Sequence, residues 1–103
     1  MISVKVSYTI KPEFVAQNRN NISVFLSDFK KLTSLNFLYN VYLQEDGVTF
    51  LHVSMYDNEE VQQKILNVPS FLDFQQQRDE SGLVQKPIIE KLNLVGSSLS
   101  LLH

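Results

Sequence analysis

Cysteine is absent from this 103-residue chain, histidine occurs only twice, and no stretch stays apolar for long. Without cysteine there is no disulfide framework, no thiolate nucleophile and no cysteine-bearing zinc site. The histidines are His52 and the last residue, His103, which leave little from which to build a metal centre; neither metal nor cofactor is expected. An excess of positive charge is missing as well. The net charge is -2 and the lysines are scattered, so no basic field exists to neutralise a run of phosphates, and nucleic acid is not an expected partner. No apolar run approaches the roughly 20 residues that span a bilayer. A strand pattern starts directly after Met1, with no basic or apolar leader. The expectation is a cytoplasmic protein without a membrane partner.

What is present suffices for one core. Hydrophobic residues make up 44% of the chain, and two independent cores at this length would each be too small. Ile2, Val4, Val6, Tyr8 and Ile10 alternate with polar residues, which predicts a strand with one apolar face. From Pro12 to about Thr33, Val15, Ile22, Phe25, Leu26, Phe29 and Leu32 recur at helical spacing. Residues 36–45 predict a second strand, apolar on both faces, and Asp46-Gly47 predicts a two-residue turn into a third strand, Val48 to Tyr56. Asp57 and Glu60 then form a capping-box variant that starts a second helix, which Pro69 breaks around residues 67–70. Gly82 stops it, the Gln75 to Glu80 run reads as its wet end, and a fourth strand is expected from Ile88 to Val95.

The order β-α-β-β-α-β closes most simply as an α+β, ferredoxin-like antiparallel sheet of strand order 4-1-3-2, with the helices on one face. The apolar sets Ile2, Val4, Val6, Tyr8 and Leu51, Val53, Met55 are expected under the helices. Phe50, His52 and Ser54 would then face away, beside either the odd or the even set of the second strand. A bare apolar sheet face marks an interface, so a homodimer packed sheet against sheet is expected. The domain is read as residues 1–96, with 97–103 an apolar tail that can reach that interface.

One segment carries a family likeness. The run Tyr56-Asp57-Asn58-Glu59-Glu60-Val61 to Pro69-Ser70-Phe71 resembles the strand-to-helix signature of the antibiotic biosynthesis monooxygenase domains, which are dimeric α+β barrels. Pro87 followed by Ile88-Ile89-Glu90-Lys91-Leu92 is similar to that family's final strand. The resemblance implies a homodimer and a pocket between the sheet and the second helix. Members with oxygenase or haem-degrading activity usually open the signature with Trp and carry His on the helix and often before the final aromatic. The matching positions here are Tyr56, Ile65 and Ser70.

The residues that could do chemistry are therefore few. His52, with an ordinary pKa of about 6.5, can serve as a base, and Tyr56, at about 10, can donate a hydrogen bond; these are the catalytic candidates. Tyr39, Asn40, Phe71 and Phe74 are the candidates for binding a ligand in the space between sheet and helices. Two function classes follow. One is a homodimeric domain that binds a small apolar or aromatic molecule, or serves as an interaction module, without turnover. The other is a cofactor-independent monooxygenase acting on a phenolic or quinol-like substrate.

Overall fold

The computed structural model describes residues 1–99, and within them the chain makes one four-stranded antiparallel sheet with helices on one side. In chain order these are β1 (Ile2–Thr9), a 3-10 turn (Pro12–Phe14), α1 (Val15–Lys30), β2 (Phe37–Leu43), β3 (Thr49–Tyr56), α2 (Glu59–Leu66), α3 (Pro69–Gln77), a π-helical turn (Arg78–Gly82) and β4 (Ile88–Leu92). The strands lie in the order β2-β3-β1-β4, the ferredoxin-like arrangement. Helix α1 is shorter than its periodicity suggests, because Pro12 opens a separate tight turn before it. The fourth strand likewise ends at Leu92, and Leu94, Val95 and Leu99 beyond it are exposed. Of the expected tail, residues 100–103 lie outside the described residues.

Register decides which side chains meet the helices. Val4 lies opposite Ser54, Val6 opposite His52 and Tyr8 opposite Phe50, and on the far side of β3 Tyr39 lies opposite Ser54 and Val41 opposite His52. Directly opposed residues point to the same face of a sheet. The helix side therefore carries Ile2, Val4, Val6 and Tyr8 with Phe50, His52, Ser54 and Tyr56, and with Phe37, Tyr39, Val41 and Leu43. This corrects the expectation for β3. Leu51, Val53 and Met55 were expected under the helices and lie on the open face, with Leu38, Asn40 and Tyr42 of β2. Hydropathy misassigns this strand because His52 and Ser54 are only 2% and 4% exposed, their polarity absorbed inside the core rather than by water.

The core is aromatic. Phe25 and Phe29 of α1 and Phe71 and Phe74 of α3 meet Tyr8, Phe50 and Tyr56 of the sheet, with Phe25 and Phe74 rings 4.9 Å apart. Polar residues lie in the same layer: Asn18 is fully buried, and Asn21 Nδ2 donates to Gln77 Oε1 at 2.9 Å, joining α1 to α3.

Three local devices shape the connections. The β2–β3 turn is longer than the two residues expected: Gly47 N–H bonds back to the Gln44 carbonyl, and within the turn only Gly47 has positive φ, at 77°. Asp46 holds its far side, accepting from the Val48 and Thr49 amides and the Thr49 hydroxyl. Those three bonds lower the Asp46 pKa. The cap of α2 is Asn58 rather than Asp57, since Asn58 Oδ1 accepts from the Val61 amide at 3.0 Å and no capping box forms. Gly82 closes the π-helical turn against the Phe14 ring, where a β-carbon would collide. Its carbonyl accepts from the Lys11 amide at 2.8 Å, which ties the end of α3 to the end of β1.

Candidate functional site

The register brings His52 beneath the helices, and two tyrosines from neighbouring strands meet it there. Tyr8 Oη lies 2.7 Å from His52 Nε2, and Tyr39 Oη lies 2.7 Å from Nδ1. Both ring nitrogens are thereby occupied. Burial, and secondarily the positive charge of Arg78, push the His52 pKa down to about 3, so the ring is neutral at physiological pH. Burial raises the phenols of Tyr8 and Tyr39 well above their usual range, and raises that of Tyr56 with the Ser54 hydroxyl partly offsetting it. All three hydroxyls keep their protons. The unit is a neutral hydrogen-bonded bridge, not a base waiting to accept a proton.

Arg78 supplies the charge. It opens the π-helical turn after α3, is 7% exposed, and places its guanidinium 5.0 Å from the centre of the Tyr8 ring and 5.3 Å from that of Phe74. Stacking of this kind suits the planar, weakly hydrated guanidinium and removes much of the cost of burying it. Its one hydrogen bond among the described residues runs from Nε to Asp79 Oδ1, at 2.9 Å. The expectation that residues 75–80 form a wholly wet helix end is thus corrected at Arg78. Phe71, Phe74 and Arg78 stand at i, i+3 and i+7, the spacing of one helix face, so the position itself put Arg78 toward the core.

Tyr39, His52, Tyr56 and Arg78 lie on a cleft of about 660 Å³ between the sheet and α2–α3, with Tyr8 behind its lining. Val4, Val6, Tyr39, His52, Ser54 and Tyr56 line it from the sheet; Leu66, Phe71 and Phe74 line it from the helices; and Arg78, Lys86 and Lys91 bring positive charge to it, with the Asp79 carboxylate that pairs with Arg78 also on the lining. The dimensions suit a small planar molecule. Five of the six residues singled out in the sequence, His52, Tyr56, Tyr39, Phe71 and Phe74, meet at this one cleft. Asn40 does not: it is exposed on the opposite face of the sheet and borders a separate groove of about 560 Å³ between the end of α1 and β2. Tyr39 borders that groove as well, but neither the imidazole of His52 nor the Arg78 guanidinium does. Ile65, at the helix position discussed above, is fully buried in the core.

Asn18 and Arg78 are additions to the residues expected from the sequence; Tyr8 was expected under the helices, and its bond to His52 is what the structure adds. For Asn18 a signal existed, since 18, 22, 25 and 29 share one stripe of α1 and the other three are buried apolar residues.

No protein-family model matches the sequence, and no curated protein matches it. Solved structures do. One described as an antibiotic biosynthesis monooxygenase superimposes with a TM-score of 0.79 at 12% identity, over 93% of this chain and 100% of that one. The fold is that of the antibiotic biosynthesis monooxygenases. A candidate antibiotic biosynthesis monooxygenase from Bacteroides thetaiotaomicron gives a TM-score of 0.82 at 12% identity, covering 96% of this chain and 93% of that one. Rv0793 from Mycobacterium tuberculosis gives 0.78 at 14% identity, covering 95% and 98%. The antibiotic biosynthesis monooxygenase fold therefore extends along nearly the whole chain, with few residues in common. Among the described residues no helix is long and apolar enough to cross a membrane, and no group of His, Cys, Asp and Glu is arranged to hold a metal ion.

Proposed function

We propose that this chain is a homodimeric domain that binds a small planar aromatic molecule, phenolic or quinol-like in class, in the cleft between the sheet and α2–α3. The observation that carries this reading is the meeting, across one cleft, of a buried guanidinium, a neutral Tyr39–His52 pair and the rings of Phe71 and Phe74. Aromatic walls favour a planar ring, and a positive charge beside a hydroxyl favours an oxygen carrying negative charge. Calorimetric titration with naphthols, quinols and quinones tests it. Saturable binding of one ligand per chain is expected, weakened about tenfold or more in Arg78→Gln, the scale of losing one hydrogen bond to a charged group. No heat of binding across the panel would sink the proposal.

Turnover is the second reading, favoured by the neighbour described as a monooxygenase. A phenol with a free para carbon and dioxygen balance to a quinone and water, all electrons coming from the substrate, so the protein need only hold the phenolate in a water-poor place. Arg78 and Tyr39 would stabilise that anion, and its proton would leave through the open side of the cleft. Neutral His52 would orient Tyr39 rather than take the proton. Oxygen uptake on a polyphenol panel, lost in both His52→Ala and Tyr56→Phe, would establish turnover; binding without uptake would leave the domain a binder.

A further inference from the structure

The bonds behind the cleft form a chain through four elements: Asn18 of α1, Tyr8 of β1, His52 of β3 and Tyr39 of β2. Asn18 Nδ2 donates to Tyr8 Oη at 3.1 Å, and both phenols sit 2.7 Å from opposite nitrogens of the imidazole. With the Asn18 amide turned so that Nδ2 faces Tyr8, which leaves Asn18 Oδ1 buried without a partner among the described residues, proton counting gives this chain a direction. An amide nitrogen only donates, so the Tyr8 oxygen accepts from Asn18 and its single proton has one acceptor among the described residues, His52 Nε2. A neutral ring that accepts at Nε2 carries its proton at Nδ1. That proton is donated to Tyr39 Oη, which leaves the proton of Tyr39 itself unspent, and Tyr39 lines the cleft.

We infer that Asn18, outside the cleft, acts as a positioning residue that sets the polarity of this chain, so that Tyr39 offers its hydroxyl proton to the ligand and the site selects an oxygen acceptor. A quinone carbonyl or a phenolate qualifies; a group that can only donate does not. Turning the Asn18 amide over would reverse every bond, with the imidazole proton at Nε2 and Tyr39 donating inward. The choice of ligand rests on the binding reading above, whereas the tautomer is a property of the empty protein and stands apart from it.

Nitrogen-15 NMR of the histidine-labelled, ligand-free chain reads the tautomer directly, and His103→Gln assigns the only other imidazole. The expected result is a neutral His52 ring protonated at Nδ1; protonation at Nε2 overturns the inference. Asn18→Leu removes the outer donor, and a mixture of both tautomers is expected in the folded variant. A spectrum unchanged from wild type would remove Asn18 from the role. Should that variant not fold, the wild-type spectrum still decides. For selectivity, 1,4-naphthoquinone is expected to bind about tenfold more tightly than naphthalene, and Tyr39→Phe to abolish most of that ratio. A ratio unmoved by Tyr39→Phe overturns the selectivity, and failure of both probes to bind overturns it together with the binding reading, while the tautomer result is unaffected.

Discussion

His52 is where a single residue governs most. In an unfolded chain an imidazole titrates near 6.5, whereas in the fold burial and Arg78 hold it to about 3. Between those values the unfolded chain binds a proton that the folded chain excludes, so this contribution to stability is complete above about pH 6.5 and is lost as the pH falls toward 3. The loss is up to about 1.4 kcal/mol per pH unit. Chemical denaturation of wild type and His52→Gln at pH 7 and pH 4.5 should show wild type losing roughly 2–3 kcal/mol more than the variant, since the carboxylates titrate in both. Equal losses would mean that the fold does not depress the titration of His52. The residue also marks how far the sequence could be read. The aromatics that share its cleft were plain from the sequence, whereas the base expected at His52 is a neutral bridge in the fold. Its face was not plain either, because a histidine and a serine in mid-strand look like the wet side unless one knows that Tyr8 and Tyr39 occupy both ring nitrogens. Arg78 and Asn18 escaped for the same reason: a polar side chain on a helix is read as solvated until a stacked ring or a buried phenol gives it a partner.

Elements were legible where backbone chemistry announced them. The alternation of β1 and the break at Pro69 follow from local signals, because proline and period-2 patterning act on the backbone whatever the tertiary context, and the strand order follows from the way the element order closes. Boundaries between equivalent local solutions were not. Asp57 and Asn58 are both good caps, and which one closes α2 depends on where β3 releases the chain, which the Asp57 amide bond to the Asn36 carbonyl helps set. Asn58→Ala should therefore cost about 1 kcal/mol, while Asp57→Ala should cost a small fraction of that. Urea denaturation of the two variants measures the difference, and equal costs would argue that the Asn58 side chain does not bear the cap.

At the scale of the whole molecule, the open face of the sheet is the unfinished part. Leu51 and Val53 are half-buried there and Tyr42 beside Leu51 is 52% exposed, while Ile88, 55% exposed, lies on the far side of Ser7 of β1, so apolar side chains flank a polar central strand. If a second copy covers that face, Val53→Lys should sediment as a monomer with an unchanged circular dichroism spectrum, whereas wild type at micromolar concentration should sediment as a dimer. Wild type running as a monomer would refute the homodimer. The distribution of tyrosine offers a way to watch both surfaces at once. With no tryptophan to outshine them, the four tyrosines are the chain's intrinsic fluorophores: Tyr42 sits on the open face, Tyr8 and Tyr39 bond His52, and Tyr56 lines the same cleft. The emission of Tyr42→Phe then comes only from the neighbourhood of the cleft. An unlabelled protein of this composition carries its own optical report of what enters that space.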